Sequence, residues 1–320
     1  MSKEEQVMAR QIVLGGAQMG PIQLSDSRES VIDRMITLMD RAYAKGVELL
    51  VFPELALTTF FPRWYHEDWD HVDQWFETEM PGPTTKPLFD RAAKYRMGFY
   101  LGYAEKFSGP TGIRRFNTSI LVDKTGSIVG KYRKVHLPGH VEFDEQLPWQ
   151  HLEKRYFEVG DLGWPVWRTM GGVMGMALCN DRRWPETYRV MGLQGVEVVM
   201  LGYNTPVGNS RGPEAPHLRM MHNHMSMQMG AYQNGTWVVG VAKAGNEDGF
   251  ELMGGSIIAA PSGEIVALAR TLGDELIIAD ADLDACNFNK STIFNFAAHR
   301  RPEHYGIITN QAGATPPLEE

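Results

Sequence analysis

Three residues of this chain stand where apolar runs stop: Glu54, Lys134 and Cys179. Cys179 ends the stretch VMGMAL and is followed at once by Asn180, Asp181, Arg182 and Arg183. A thiol fixed at the end of a buried strand and facing cations has what a nucleophile needs, because nearby positive charge favours thiolate over thiol. Free cysteines are also among the most buried side chains of ordinary cores, so Cys179 taken alone fits simple packing equally well. Glu54 closes VELLVFPE, and Lys134 closes SIVGKYRK with His136 opening the next loop. Taken singly, charges at strand ends are commonly solvated. If the three strands are neighbours, however, a carboxylate, an ammonium and a thiol converge. That set meets the demands of hydrolysing an amide-like carbonyl: Cys179 as nucleophile, Glu54 as general base, and Lys134 as a fixed charge for the developing oxyanion.

The elements that must position these groups alternate along the chain, which points to an α/β fold. Strands are expected at Gln11–Met19, Val47–Phe52, Gly98–Glu105, Val196–Leu201 and Trp237–Ala242. Helices are expected over Ser27–Lys45, where Val31, Met35, Leu38, Met39 and Ala42 share a face, around Lys86–Tyr95, from Pro185 to Gly195, and over His217–Asn234. Hairpins are expected at Asn117–Lys134, turning at Lys124-Thr125-Gly126, and at Ser256–Ala269, turning at Pro261-Ser262-Gly263. Two pairs of segments echo one another: SILVDKTGSIV (Ser119–Val129) with SIIAAPSGEIV (Ser256–Val266), and KGVELLVF with QGVEVVML. Two readings are open. Any two αβ units with a glycine turn look alike, or the chain is an internal repeat of two half-sheets with helices outside.

Composition bounds the function. The 320 residues are 43% hydrophobic and 22% charged with a formal net charge of -8, an ordinary globular make-up. No Lys/Arg-rich block stands out, which argues against nucleic acid as a partner. No apolar run reaches membrane-spanning length, and MSKEEQVMARQ lacks the apolar core of a signal peptide. Cys179 and Cys286 are the only cysteines, in unrelated contexts, so neither a disulfide framework nor a cysteine zinc site is expected. A reducing cytoplasm suits a working thiol. The ten histidines raise a metal reading, with His136 and His140 in HxxxH spacing, but Pro138-Gly139 lies between them and no HExxH occurs. No metal or cofactor is expected. Arg182 and Arg183 follow the thiol directly, and guanidinium forks bind carboxylates in pairs, so at least one is expected to clamp a carboxylate-bearing small molecule. Asn204 and Thr205, at the end of VEVVMLGYNT, are expected to face the same pocket.

FPEL, KYRKVHLPG and CNDRRWPE, in that order, resemble the carbon–nitrogen hydrolase (nitrilase) superfamily. Within it, FPELALTTFFPRW, RRFNTSILVDKTGSIVGKYRKVHLPGH, HLEKRYFE and CNDRRWPE resemble the branch of N-carbamoyl-D-amino acid amidohydrolases, over residues 10 to 306 or so. The resemblance implies a four-layer α-β-β-α sandwich with an internal pseudo-two-fold, formed as one domain over residues 1–309 with a tail at 310–320. It implies hydrolysis of N-carbamoyl-D-amino acids without a cofactor, and homo-oligomers, dimers or tetramers. It further implies that Glu153 is a second glutamate holding Lys134, where the residues alone suggest a helix-surface partner for Lys154 or Arg155. It places Asn180 with both arginines at the substrate, and His136, His151 and His222 around the pocket. The segments Val207–Gly212 and VEFDEQLPW depart from the branch's wording, at places suited to a side-chain pocket. The same triad acting on another carbon–nitrogen bond, as in an amidase or nitrilase, and a catalytically silent binding protein are the alternatives.

Overall fold

In the computed structural model, residues 9–212 and 214–319 are described. The first eight residues, on which the expectation of no signal peptide falls, therefore lie outside the described residues. The strands in chain order are β1 (Gln11–Gln18), β2 (Leu49–Val51), β3 (Gly98–Gly109), β4 (Gly112–Val122), β5 (Ile128–Arg133), β6 (Val166–Thr169), β7 (Gly172–Leu178), β8 (Val198–Tyr203), β9 (Trp237–Ala242), β10 (Ala244–Glu247), β11 (Phe250–Met253), β12 (Ile257–Ala259), β13 (Ile265–Leu268) and β14 (Glu275–Asp282). The principal helices are α1 (Arg28–Tyr43), α2 (Lys86–Tyr95), α3 (Pro185–Leu193) and α4 (Pro216–Asn234). Ser27 caps α1 by accepting from the Ser30 amide, and Gly235 ends α4 in the left-handed region at φ 56°. The expected elements are all present. The strands β6, β10, β11 and β14, which periodicity did not reveal, are short or carry a mixed burial pattern.

Two six-stranded sheets run β14-β1-β2-β3-β4-β5 and β13-β12-β9-β8-β7-β6. In each, three successive strands are parallel (β1, β2, β3 and β7, β8, β9), and antiparallel strands flank them. The sheets therefore match strand for strand: β2 with β8, β4 with β12, β5 with β13. Those are the segments whose sequences echo one another. Even the register irregularity recurs, between Leu121 and Val122 in one hairpin and between Ile258 and Ala259 in the other. Of the two readings of the echo, the internal repeat is the one the topology follows.

Three apolar layers bind the sandwich. Leu14, Leu49, Val51 and Tyr100 meet Met174, Met176, Val198 and Val239 between the sheets. α1 and α2 cover the outer face of the first sheet through Val31, Met35, Leu38 and Leu88. Tyr188, Met191, Met227 and Ala231 of α3 and α4 cover the second. Layers buried on both faces explain why the parallel strands read as unbroken apolar runs rather than alternations. Among the described residues, no helix is long and apolar enough to cross a membrane.

Candidate active site

The site groups lie just past the C-terminal ends of the parallel strands β2, β7 and β8, the usual place for a site in an α/β sheet, and of the antiparallel edge strand β5. Glu54 follows β2, Lys134 follows β5, Cys179 follows β7, and Asn204 and Thr205 follow β8. Two glycines let the Glu54 backbone lie between the sheets. A Cβ on Gly102 would sit 2.8 Å from Glu54 Cα, and one on Gly202 2.5 Å from the Pro53 carbonyl carbon. Cys179 has φ 43°, a left-handed conformation that is uncommon for a side chain other than glycine and costs backbone energy. What holds it there is Asp181, which is fully buried and accepts from the Leu178 amide at 2.9 Å and from Tyr132 Oη at 2.6 Å. Tyr100 adds a rivet between the sheets, donating to the Ala177 carbonyl at 2.9 Å and accepting from the Gly202 amide at 3.2 Å.

The convergence is tight. Lys134 Nζ donates to Glu54 Oε1 at 2.7 Å and to Glu153 Oε2 at 2.5 Å, and all three side chains are fully buried. One oxygen of Glu54, one of Glu153 and the Cys179 sulfur all lie within 4.8 Å of one another. Among the described residues this is the only such group of ligand-type atoms, but the cation seated against both carboxylates is Lys134. An ammonium has three donors, so two go to the glutamates and one is left for an incoming oxygen. Glu153 is thus no surface partner of Lys154 or Arg155. His151 Nε2 holds its other oxygen at 3.1 Å. Asn117, which sequence patterning passed over, donates to Glu54 at 2.8 Å and to Glu153 at 3.4 Å. In β4 it opens a run of three buried polar residues, Asn117-Thr118-Ser119, and nothing in the sequence sets it apart from its neighbours. Asn204 ties Glu54 from the second sheet, its amide to Oε2 at 3.0 Å and its Nδ2 to the Glu54 carbonyl at 2.9 Å.

Burial decides the resting charges. The Cys179 thiol is pushed up to about 11, by burial first and then by the negative charge of Glu54, against the pull of Lys134 and Arg182. Burial thus outweighs the cations that were expected to favour the thiolate: at neutral pH the sulfur keeps its proton, and a base must take it. Burial lifts Glu54 above the ordinary carboxylate range, with Glu153 adding and Lys134 opposing. For Glu153, burial works against ionisation, but Lys134 and His151 outweigh it and keep the carboxylate below its usual value. Burial likewise opposes charge on Lys134, and the two glutamates overcome it and hold the ammonium. Two nearby carboxylates with opposite shifts are the pattern of a base and a structural anion.

A cavity of about 450 Å³ opens above Cys179, lined among others by Trp149, His151, Asn180, Asn204, Thr205, Arg183 and Arg211. Arg182 also reaches it but is only 1% exposed, and its guanidinium is engaged with the scaffold. It donates to the Cys179 carbonyl at 2.5 Å, to Asn223 at 2.8 Å and to Thr205 Oγ1 at 2.7 Å. The geometry thus gives Arg182 to holding the nucleophile's turn and Thr205 to holding Arg182, which corrects the expectation that both arginines clamp substrate. Arg183 is exposed on the wall, with no side-chain hydrogen bond among the described residues. His136 is turned away from this cavity. Its ring bonds Asp181 at 2.9 Å, stacks on Trp164 and Trp184, and lines a neighbouring cavity instead. Asn180 borders both cavities and donates to the His136 carbonyl at 3.2 Å. His140 bonds Gln150 at 2.9 Å, so the HxxxH pair does not converge. His222 lies outside the lining and touches it through Glu214, at 3.1 Å, a carboxylate that Arg219 shares at 2.5 Å. The divergent loop contributes Asn209, Ser210 and Arg211 to the wall, and Trp149 comes from the second divergent segment. Arg211 had no sequence signal beyond that divergence, and Glu214 and Arg219, outside the divergent segments, had none.

Known proteins are similar to this chain along most of its length. An N-carbamoylputrescine amidase of Arabidopsis thaliana is 27% identical over 312 residues, 95% of this chain and 97% of that protein. A citrullinase of Francisella tularensis is 26% identical over 300 residues, 91% of this chain and 97% of that protein. The crystal structure of a carbon–nitrogen hydrolase from Helicobacter pylori G27 superposes with a TM-score of 0.79 at 22% identity, covering 95% of this chain and 99% of that one. The carbon–nitrogen hydrolase family matches residues 14–289, a span that takes in both half-sheets and all of Glu54, Lys134, Glu153 and Cys179. This chain belongs to the carbon–nitrogen hydrolase family.

Proposed function

We propose that the protein hydrolyses N-carbamoyl-amino acids, in the D-series by the resemblance of its motifs, to the free amino acid, ammonia and carbon dioxide. The observation that carries the reading is the buried contact set of Glu54, Lys134 and Glu153 beside the Cys179 thiol, with Arg183, which has no side-chain hydrogen bond among the described residues, on the wall of the same cavity. Relatives named for N-carbamoylputrescine and for citrulline support a carbamoyl-type substrate. In the reaction Glu54 takes the Cys179 proton as sulfur attacks the ureido carbonyl. Lys134 receives the oxyanion with its third N–H, a contact that strengthens as charge develops. Protonated Glu54 returns its proton to the departing nitrogen, and ammonia leaves a thiocarbamate on Cys179. Water, deprotonated by Glu54, then frees the N-carboxy amino acid, which loses carbon dioxide. The homo-oligomer belongs to the same reading, supported by the exposed apolar stripe Leu218, Met221, Met225 and Met229 along α4.

Ammonia release from N-carbamoyl-D- and L-amino acids, simple amides and nitriles tests the substrate class. Turnover of the carbamoyl acids supports the reading, and activity confined to uncharged amides or nitriles overturns it. Arg183→Gln is expected to lower kcat/KM for carboxylate-bearing substrates about tenfold to a hundredfold, the worth of a charged hydrogen bond of about 1.5–3 kcal/mol. Simple amides serve as the control that stays level. The pH profile follows from the shifts. The base must be ionised, and Glu54 is raised, so kcat/KM climbs with pH along an acid limb above the ordinary glutamate range. The thiol at about 11 and the still higher Lys134 leave no base-side loss across neutral and mildly alkaline pH.

A further inference from the structure

A second cluster of buried charge lies outside the catalytic set. Lys243 and Glu247 are fully buried, and Arg63 is 4% exposed. The cluster sits where the pseudo-symmetry breaks. The first half has one long hairpin, β3–β4, whereas the second half divides the corresponding region into β9 and β12 plus the separate hairpin β10–β11, and Lys243 stands at the break. Glu247, the last residue of β10, spends its carboxylate on the segment downstream of Glu54. Its Oε1 accepts from the Phe60 amide at 2.7 Å, from Arg63 Nη2 at 2.8 Å and from Thr59 Oγ1 at 3.3 Å. Its Oε2 accepts from Lys243 at 2.9 Å and from the Ile22 amide at 3.0 Å, while its carbonyl takes Arg63 Nη1 at 2.5 Å. Lys243 also donates to the Thr58 carbonyl at 2.8 Å.

Buried ion pairs are seldom better for stability than apolar packing of equal volume. What this one supplies is direction: it fixes residues 58–63 as a rigid shelf. That shelf bears directly on the second glutamate's segment. The Leu152 amide donates to the Pro62 carbonyl at 2.7 Å, and the Phe60 ring meets the His151 ring edge-on at 5.5 Å. His151 in turn holds Glu153 at 3.1 Å, and Glu153 holds Lys134 at 2.5 Å. We propose that Glu247 is a positioning residue for the reaction, reaching from the second half of the chain to set His151 and Glu153 through the Phe60–Arg63 shelf. The same hairpin also pins the pocket loop, through the Met253 amide on the Thr205 carbonyl and the Val207 amide on the Glu251 carbonyl, each at 2.9 Å. The proposal rests on the catalytic reading of Glu153 and Lys134 given above.

The test pairs Glu247→Asp, which keeps the charge but withdraws the oxygens, with Phe60→Leu, which keeps the backbone contact but removes the ring from His151. Each is expected to lower kcat about tenfold or more in protein that folds normally by circular dichroism. Because both act through His151, the double variant is expected to fall no further than the worse single one, whereas independent structural damage multiplies. Wild-type kcat in Phe60→Leu, wild-type kcat in folded Glu247→Asp, or losses that multiply would each overturn the proposal. Should Glu247→Asp not fold, Phe60→Leu alone decides. Cys179→Ala is assayed alongside: activity surviving there defeats the catalytic reading itself, while a cysteine-dependent enzyme indifferent to Glu247 and Phe60 defeats only this inference.

Discussion

Cys179→Ala loses ammonia release by on the order of 10⁴–10⁶-fold while folding as the parent does, the scale seen when the nucleophile of a cooperating set is removed. The size follows from the site's construction. Lys134, Glu54 and Glu153 are fully buried and bonded to one another, so they persist without the sulfur. They have then no attacking atom to activate, and water is poorly placed to substitute. Stability changes little, because Cys179 contributes one small side chain to its apolar cluster; the loss of one sulfur from that cluster is on the order of 1 kcal/mol. Thermal melts of the variant and the parent, run beside the assay, separate a chemical defect from an unfolded protein.

Lys134→Met is expected to cost about 10³-fold or more in kcat, for two reasons that add. The oxyanion loses its donor, which alone is worth about 10²–10³ in comparable sites. Glu54 and Glu153 then face each other without a cation between them, and two carboxylates sharing a buried site cannot both stay ionised. Glu54 is already lifted by burial and Glu153, and removing Lys134 deletes the charge that opposes this lift. The sign is upward: the acid limb of kcat/KM moves to higher pH, and the base is protonated over more of the neutral range. A variant whose rate falls while its acid limb stays in place would mean that Glu54 is not the titrating base.

The convergence of Glu54, Lys134 and Cys179 was legible in the sequence because a charge or thiol that ends a fully apolar strand is a strong pattern, and three such ends share one edge of a paired α/β sheet. Orientation after the strand was not legible. Cys179–Arg183 form a tight 3₁₀ turn, so consecutive side chains point roughly 120° apart. Arg182 is therefore driven inward onto the Cys179 carbonyl and Arg183 outward, yet the two are indistinguishable as letters. The resemblance put His136 around the pocket, but Asp181 and two tryptophans hold it elsewhere. The balance of charge at the thiol was not legible for a related reason. The cations near Cys179 are visible in sequence, whereas its burial and the nearby Glu54 charge exist only in three dimensions. β14 escaped notice because its alternation is weak, although it closes the first sheet against β1 over eight residue pairs.

The central claim is that sulfur of Cys179 forms a covalent intermediate by displacing ammonia from a carbamoyl group. Intact-protein mass spectrometry of acid-quenched turnover with an N-carbamoyl-D-amino acid addresses it most directly. The account predicts a mass gain equal to substrate less ammonia, located on the peptide that carries Cys179 and missing from Cys179→Ala. Sustained ammonia release with no adduct on Cys179, and with Cys179→Ala as active as the parent, would contradict it.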